Sequence, residues 1–216
     1  MGSDVSIASG FLVAQAPADL SVRLLDHLPV AEACASRNVE RAQPHVRKVV
    51  QETQGLLDSA LAAGSSRTSK VMMIRHVASR WSAAVTPFSA CRHGCAHCCH
   101  IAVSVPEVEA KLIAAKTGRR LQRPLRPRSL ADGADEHDYG YDDPCVFLEG
   151  GRCSIYEHRP LACRTLVNMD DSAVLCELQQ GMSVPVPYGN AIDMQGRFAL
   201  VTQMETFADI RDWFRL

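Results

Sequence analysis

The stretch Cys91-Arg92-His93-Gly94-Cys95-Ala96-His97-Cys98-Cys99-His100 puts four thiols and three imidazoles within ten residues. Thiolate and imidazole are the ligands of zinc and of iron–sulfur clusters, and spacings of two or three residues let one turn present several of them to one centre. Four more thiols follow downstream, Cys145, Cys153, Cys163 and Cys176. The pair Cys98-Cys99 adds a constraint of its own. Adjacent side chains point about 100° apart on a helix and to opposite faces of a strand. Both thiolates on one ion would need an irregular backbone. Two centres, or one thiol standing behind the ligand shell, are the easier arrangements.

Nine cysteines in 216 residues exceed ordinary usage but fall short of a disulfide scaffold, and a chain that is 47% hydrophobic can bury a core. The formal net charge of −1 supplies no global field for nucleic acid or a membrane surface, so neither is expected as a partner. No stretch approaches the roughly 20 apolar residues of a membrane helix. The run Phe11-Leu12-Val13-Ala14 is too short for a secretory signal and no Arg or Lys precedes it, although Ala14-Gln15-Ala16 mimics a cleavage site. A cytoplasmic, reducing location is therefore expected, where clustered cysteines read as metal ligands.

The expected fold is mainly α: a single helical domain with a short β-hairpin and irregular, metal-stapled loops around the cysteine cluster. Residues 1–38 read as a loosely ordered extension, with short helical pieces from Leu20 to Arg37 broken at Pro29. Cys34 reads there as a small buried hydrophobe on a helix. Residues 39–216 form the domain, with the motif core at 91–176. A helix starts near Pro44, carries Val46, Val49, Val50, Leu56, Leu57, Ala60 and Leu61 at helical spacing, and stops at Gly64-Ser65-Ser66. A second opens near Thr68 or Ser69, has Met73, Ile74, Val77, Trp81 and Val85 on one face, and closes at Pro87. The two pair as an antiparallel hairpin. Trp81 belongs to the core, and His76 beside that face is packed or half-exposed rather than a ligand.

Ser104-Val105-Pro106-Glu107 has the spacing of a capping box, which starts a helix through Val108, Leu112 and Ile113 to Thr117-Gly118. The cluster is thus clamped between helices. Residues 119–143 read as a solvated loop whose basic half (Arg119, Arg120, Arg123, Arg126, Arg128) is neutralised by its acidic half (Asp132, Asp135, Glu136, Asp138, Asp142, Asp143). Residues 145–156 read as a tight hairpin turning at Gly150-Gly151, with Cys145 and Cys153 on its neighbouring strands. Asp170-Asp171 caps a short helix that carries Cys176 and ends at Gly181. A final helix from Arg197 to Phe214 places Phe198, Val201, Met204, Phe207 and Ile210 in the core.

Cys91-x3-Cys95-x2-Cys98 also fits the three-thiolate motif of radical S-adenosylmethionine enzymes. That reading requires alternating strands and helices after the motif. The residues after Cys98 read instead as hairpin, loop and helices. Eight thiols suffice for one four-iron cluster plus a second site, or for two zincs with four thiolates each. His93, His97 and His100 are ligands or hydrogen-bond partners of the sulfurs, and a catalytic Cys–His pair fits the composition less well than metal does. Tyr156, Arg159 and Arg164 form a site for an anionic group or offset the negative charge of a thiolate-bound centre, the second being favoured.

The segments Cys91-x3-Cys95-x2-Cys98-Cys99, Pro144-Cys145-Val146-Phe147-Leu148 and Cys153-Ser154-Ile155-Tyr156-Glu157-His158-Arg159-Pro160-Leu161-Ala162-Cys163-Arg164 together resemble the YkgJ-like cysteine-cluster family, described as zinc- or iron-chelating. The resemblance spans about residues 91–176. It implies a complete ligand set of Cys91, Cys95, Cys98, Cys99, Cys145, Cys153, Cys163 and Cys176. The chain departs from the pattern at Leu166, where many relatives have Phe, and the first cysteine spacing varies among members. A related cluster in flagellin lysine N-methylases adds protein modification to the implied roles. A 4Fe-4S cluster, redox-active or substrate-binding, is the favoured expectation, because eight thiols exceed the need of one structural zinc. A zinc-stapled structural or interaction module and a radical S-adenosylmethionine enzyme are the alternatives. The expected partners are a metal ion or cluster and a protein partner or substrate.

Overall fold

The computed structural model describes residues 11–12, 21–92, 94–132, 140–179 and 183–215. In chain order its elements are β1 (Phe11–Leu12), α1 (Val22–Leu61), α2 (Arg67–Val85), β2 (Ser104–Pro106), α3 (Glu107–Thr117), β3 (Leu148–Glu149), β4 (Arg152–Cys153), α4 (Leu161–Thr165), β5 (Tyr188–Gly189), α5 (Ile192–Thr202), β6 (Phe207–Asp209) and α6 (Ile210–Trp213). The fold is mainly α, as expected. Three two-stranded antiparallel sheets, β1–β5, β2–β6 and β3–β4, fasten its loops. Among the described residues no helix is long and apolar enough to cross a membrane.

The first correction concerns α1. Instead of short pieces broken at Pro29 and a fresh start at Pro44, one 40-residue helix runs through both prolines. It also runs through residue 38, the expected end of a loose extension, so residues 22–38 are helical. Each proline removes an N–H and leaves the carbonyl four residues earlier, at Leu25 or Glu40, without its helical donor. Tertiary contacts outweigh that cost. Leu24, Ala31, Ala35 and Asn38 are buried. Asn38 Nδ2 donates to Met169 O (2.9 Å) and to Asp171 Oδ1 (2.8 Å), and Arg37 reaches Asp171 Oδ2 at 2.6 Å.

The expected α1–α2 hairpin is present. Leu57 and Ala60 of α1 share one apolar cluster with Val71, Ile74, Val77, Trp81 and Val85 of α2, Leu161 of α4, and Met194 and Phe198 of α5. The Ser66 side chain caps α2 by accepting from Ser69 N–H at 3.1 Å. His76 lies exposed beside this face.

The Ser104–Glu107 capping box does not form, because Ser104 is drawn into β2, opposite Asp209. The first-turn N–H groups of α3 are met from far along the chain. Glu107 N donates to Thr206 O (2.9 Å) and Val108 N to Glu205 Oε2 (3.0 Å). Gly118, in the left-handed region at φ 69°, ends the helix where expected.

The same pairing overturns the expected final helix. The helical stripe ends at Thr202, Met204 is 81% exposed, and Phe207 enters β6 beside Pro106 before α6 begins at Ile210. Phe198, Phe207 and Ile210 are buried as expected, but from three elements rather than one. Asp170 and Asp171 likewise cap no helix. They pair with His27 (2.7 Å) and Arg37 on α1, while the 3₁₀ turn Val174–Cys176 takes its capping oxygen from Ser172. Gly181 lies outside the described residues.

In the charged loop, Arg119 pairs with Glu149 (3.3 Å) and Arg126 with Asp212 (3.3 Å), while Arg128 exchanges backbone hydrogen bonds with Phe207. Arg119 and Arg126 thus reach acids outside the loop, while the Ser129 N–H and, after it, the charge of Arg128 lower the Asp132 carboxyl of the acidic half. Asp135, Glu136 and Asp138 lie outside the described residues.

Gly189 on β5 lies against the core. A Cβ there would stand 3.1 Å from Trp81 Cη2 and 3.3 Å from Met169 Sδ. Gly189→Ala is expected to destabilise the fold by about 1–3 kcal/mol through overpacking. Chemical denaturation of the two proteins checks this, and equal midpoints would disprove the close approach.

Candidate metal centre

Among the described residues between α2 and β2 there is no regular element beyond short 3₁₀ turns. The chain advances by consecutive turns, Cys95 N to Arg92 O (3.0 Å), Cys99 N to Ala96 O (2.9 Å) and His100 N to His97 O (3.0 Å), with Gly94 at φ 92°. The backbone at adjacent Cys98 and Cys99 is thus irregular, the condition for both thiolates to reach one ion. Its polar groups are held from the C-terminal end. Arg211 donates to Cys99 O (3.1 Å), Ile101 O (3.2 Å) and Asp143 O (3.0 Å), while Val103 N donates to Asp209 Oδ2 (2.7 Å).

The β3–β4 hairpin turns at Gly150 and Gly151 (φ 56° and 74°), the left-handed pair of a tight two-residue turn. It carries Cys153 on β4. Cys145 sits at the hairpin's foot rather than on a strand, its carbonyl accepting from Leu148 N (2.8 Å) and its own N–H donating to Cys99 O (2.7 Å). Pro160 leads into α4, which carries Cys163.

These segments converge. Cys91, Cys95, Cys98, Cys99, Cys145, Cys153 and Cys163 line one cavity of about 80 Å³, with Tyr156 and Arg159 in its wall. Cys176 lines an adjoining groove of about 780 Å³ together with Cys91, Cys95 and Cys98. All eight are free thiols. Cys34 stands apart, half-buried on α1 with Arg37 Nη2 at 3.2 Å from its sulfur. Among the described residues no three Cys, His, Asp or Glu side chains already form a shell for one ion. The thiols ring the cavities.

Burial favours the neutral form at five of these thiols. It pushes Cys91 and Cys145 up to about 11, Cys176 to about 12, and Cys153 and Cys163 upward as well. Within the Cys98–Cys99 pair, the hydrogen bond between the two side chains lowers Cys98 and raises Cys99. The charge of Arg159 favours the thiolate at Cys91, Cys98, Cys153 and Cys163. Arg159 stacks on the Tyr156 ring (4.1 Å to the centroid) and donates to Ser82 Oγ (3.0 Å). Arg164 is not in the cavity wall. It is buried, and its guanidinium donates to Arg159 O (2.8 Å), Ser79 Oγ (2.6 Å) and Glu157 O (2.7 Å). It fastens the loop that presents Arg159.

Of the three histidines, His97 lines the groove and meets Tyr141 Oη at 3.1 Å through Nδ1. His100 packs on the Tyr141 ring (4.8 Å between centroids), outside both cavity walls, and its buried Nδ1 has no hydrogen-bond partner among the described residues. His93 lies outside the described residues.

Sequence reasoning missed four residues that build the site: Asn168, Arg211, Arg75 and Glu109. Asn168 gives its backbone N–H to Cys91 Sγ (3.3 Å) and its Nδ2 to Cys176 Sγ (3.4 Å). Glu109 Oε1 accepts from Leu161 N (2.8 Å) and pairs with Arg75 Nε (3.2 Å), while Arg75 Nη2 donates to His158 O (2.8 Å) and Arg159 O (3.1 Å). Only Glu109 had a signal, as a carboxyl on the apolar face of α3, four residues before Ile113. The donor set nevertheless fits a thiophilic metal or cluster: eight soft ligands, a nearby cation, and hydrogen bonds to two sulfurs.

Burial pushes the Glu109 carboxyl up to about 7, against the opposing pull of Arg75 and the Leu161 N–H. The folded chain then binds a proton that the unfolded chain has already lost, so this group's contribution to stability falls as pH rises from its ordinary value near 4.5 to about 7, and is flat above. Glu109→Gln is expected to abolish that component. Melting curves of both proteins across this range measure it, and parallel curves would exclude it.

Neither the curated proteins nor the solved structures offer a match to the chain. A family model does match. Residues 90–180 match the CxxCxxCC model, described as a "putative zinc- or iron-chelating domain", a cysteine-cluster family of the kind its motifs resemble.

Proposed function

We propose that this chelating domain binds an iron–sulfur cluster of the 4Fe-4S type, with Cys91, Cys95, Cys98, Cys99, Cys145, Cys153, Cys163 and Cys176 as the thiol supply. The observation that carries the reading is the convergence of eight thiols from separate segments on two adjoining cavities. A zinc ion and a four-iron cluster each take four thiolates, so eight thiols suit a cluster with a second site beside it. The inner cavity of about 80 Å³ has room for a multi-atom group, roughly 10–15 Å³ being enough for one water. When bound, such a cluster supplies electron transfer or an iron site for a substrate.

The chain's own residues do the remainder. Arg159, braced on Tyr156, offsets the negative charge that thiolates bring. The apolar packing of Val103, Phe147 and Ile155 excludes water from the deeper sulfurs. The groove beside Cys91 and Cys176 admits a substrate or a protein segment. The radical S-adenosylmethionine alternative draws no support from topology, because the described residues after Cys98 build two-stranded antiparallel sheets and short helices.

Anaerobic purification followed by iron, sulfide and zinc analysis of one sample tests the reading. Iron and sulfide in equal amounts with a broad absorption band at roughly 400 nm are expected. Zinc alone in a colourless protein would overturn it. Cys95→Ala and Cys153→Ala are each expected to lower metal content and melting temperature together, since metal binding and folding are coupled. Full metal content with unchanged melting in both variants would remove these two residues from the ligand set.

A further inference from the structure

We infer that the eight thiols form two ligand sets with different jobs: an outer set, Cys91, Cys95, Cys98 and Cys176, facing the groove, and an inner set, Cys99, Cys145, Cys153 and Cys163, packed on an apolar cluster. The inference rests on the chelating reading above and holds for either metal.

The cavity walls and the apolar packing divide the thiols in the same way. The groove of about 780 Å³ is walled by the outer four and by none of the inner four. The three outer thiols Cys91, Cys95 and Cys98 also touch the inner cavity and so form the partition between the two spaces. Next, Asn168, fully buried, ties the two ends of the outer set together: its backbone N–H meets the Cys91 sulfur at 3.3 Å and its Nδ2 the Cys176 sulfur at 3.4 Å. The inner four, by contrast, pack in one apolar cluster with Val103, Phe147, Ile155 and Ile210, and Cys145 N–H donates to Cys99 O at 2.7 Å. Cys98 and Cys99, neighbours on one 3₁₀ turn with their side chains hydrogen-bonded to each other, stand where the two sets meet.

Each set has four thiolates, the complement of a zinc ion or of a four-iron cluster. Four thiolates close either centre, but one packed in apolar surroundings staples the fold, whereas one at the edge of a groove is within reach of solvent and competing chelators. The outer centre is therefore the more readily exchanged one, and Asn168 is its positioning residue.

The test uses the full chain loaded anaerobically with zinc alone and challenged with a coloured chelator. Two zincs per chain are expected, released in two phases that differ by roughly tenfold or more in rate. Cys176→Ser should remove the fast phase, halve the zinc content and leave the slow phase in place. Asn168→Asp keeps the acceptor for Asp170 N–H but loses the donor to Cys176, and should weaken the fast class by roughly 10–100-fold. Cys163→Ser should remove the slow phase and lower the melting temperature. Should that variant fail to fold, the biphasic release of the unaltered chain and the Cys176→Ser result still decide the matter. A single zinc released in one phase overturns the division while leaving chelation intact. Loss of both phases in a Cys176→Ser protein with unchanged circular dichroism does the same. Absence of any bound zinc overturns the division, and the iron and sulfide analysis decides separately whether chelation stands.

Discussion

A ligand loop without helix or strand leaves its backbone polar groups with no ladder to satisfy them, and buried groups of that kind must find partners. Arg211 answers this need. It is 5% exposed, pairs with the equally buried Asp209 at 3.0 Å, and donates to carbonyls of Cys99, Ile101 and Asp143. Asp209 takes the N–H of Val103. One ion pair from the C-terminal end of the chain thus holds the shape of the cysteine loop and docks residue 143, next to Cys145, against it. The β2–β6 pairing brings these two residues into place.

Two other buried polar assemblies hold the remaining thiols. Glu109 and Arg75, from α3 and α2, grip the backbone of residues 158–161, and Arg164 secures the same turn from within. That turn presents Arg159 and leads to Cys163. The long helix α1 offers His27, Arg37 and Asn38 to the segment from Met169 to Asp171, which in turn sets Asn168 and Cys176. The first grips backbone carbonyls and an N–H, while the second joins side chains as well, with Arg37–Asp171 at the surface. Such contacts are worth more in a buried setting, and leaving one unmade is costly.

The chemistry follows from this framing. Burial keeps most of the thiols protonated in the metal-free chain, so loading must release protons, and the fixed charge of Arg159 lowers that cost where it reaches. Apolar packing around Cys145, Cys153 and Cys163 excludes solvent from one side of the site, while Cys91 and Cys176 look onto a groove. A thiolate centre between dry packing and an open face can be stable and still meet an outside molecule.

The amino-acid sequence alone determined the elements whose causes are local. Apolar spacing specified the α1–α2 hairpin, Gly150-Gly151 specified the turn that positions Cys153, and thiol spacing specified the candidate ligands. What tertiary structure decided has causes far apart in the chain. Helix α1 survives Pro29 and Pro44 because Asn38 and Arg37 meet residues more than 130 positions away. Ser104 is lost as a cap and Phe207 as a helical residue because the two segments pair with each other as strands. Asn168 and Arg211 carry no motif, since a hydrogen bond to a sulfur or a distant carbonyl leaves no periodic trace. Local propensity is written residue by residue, whereas satisfaction of buried polar groups is settled only once the distant partners have met.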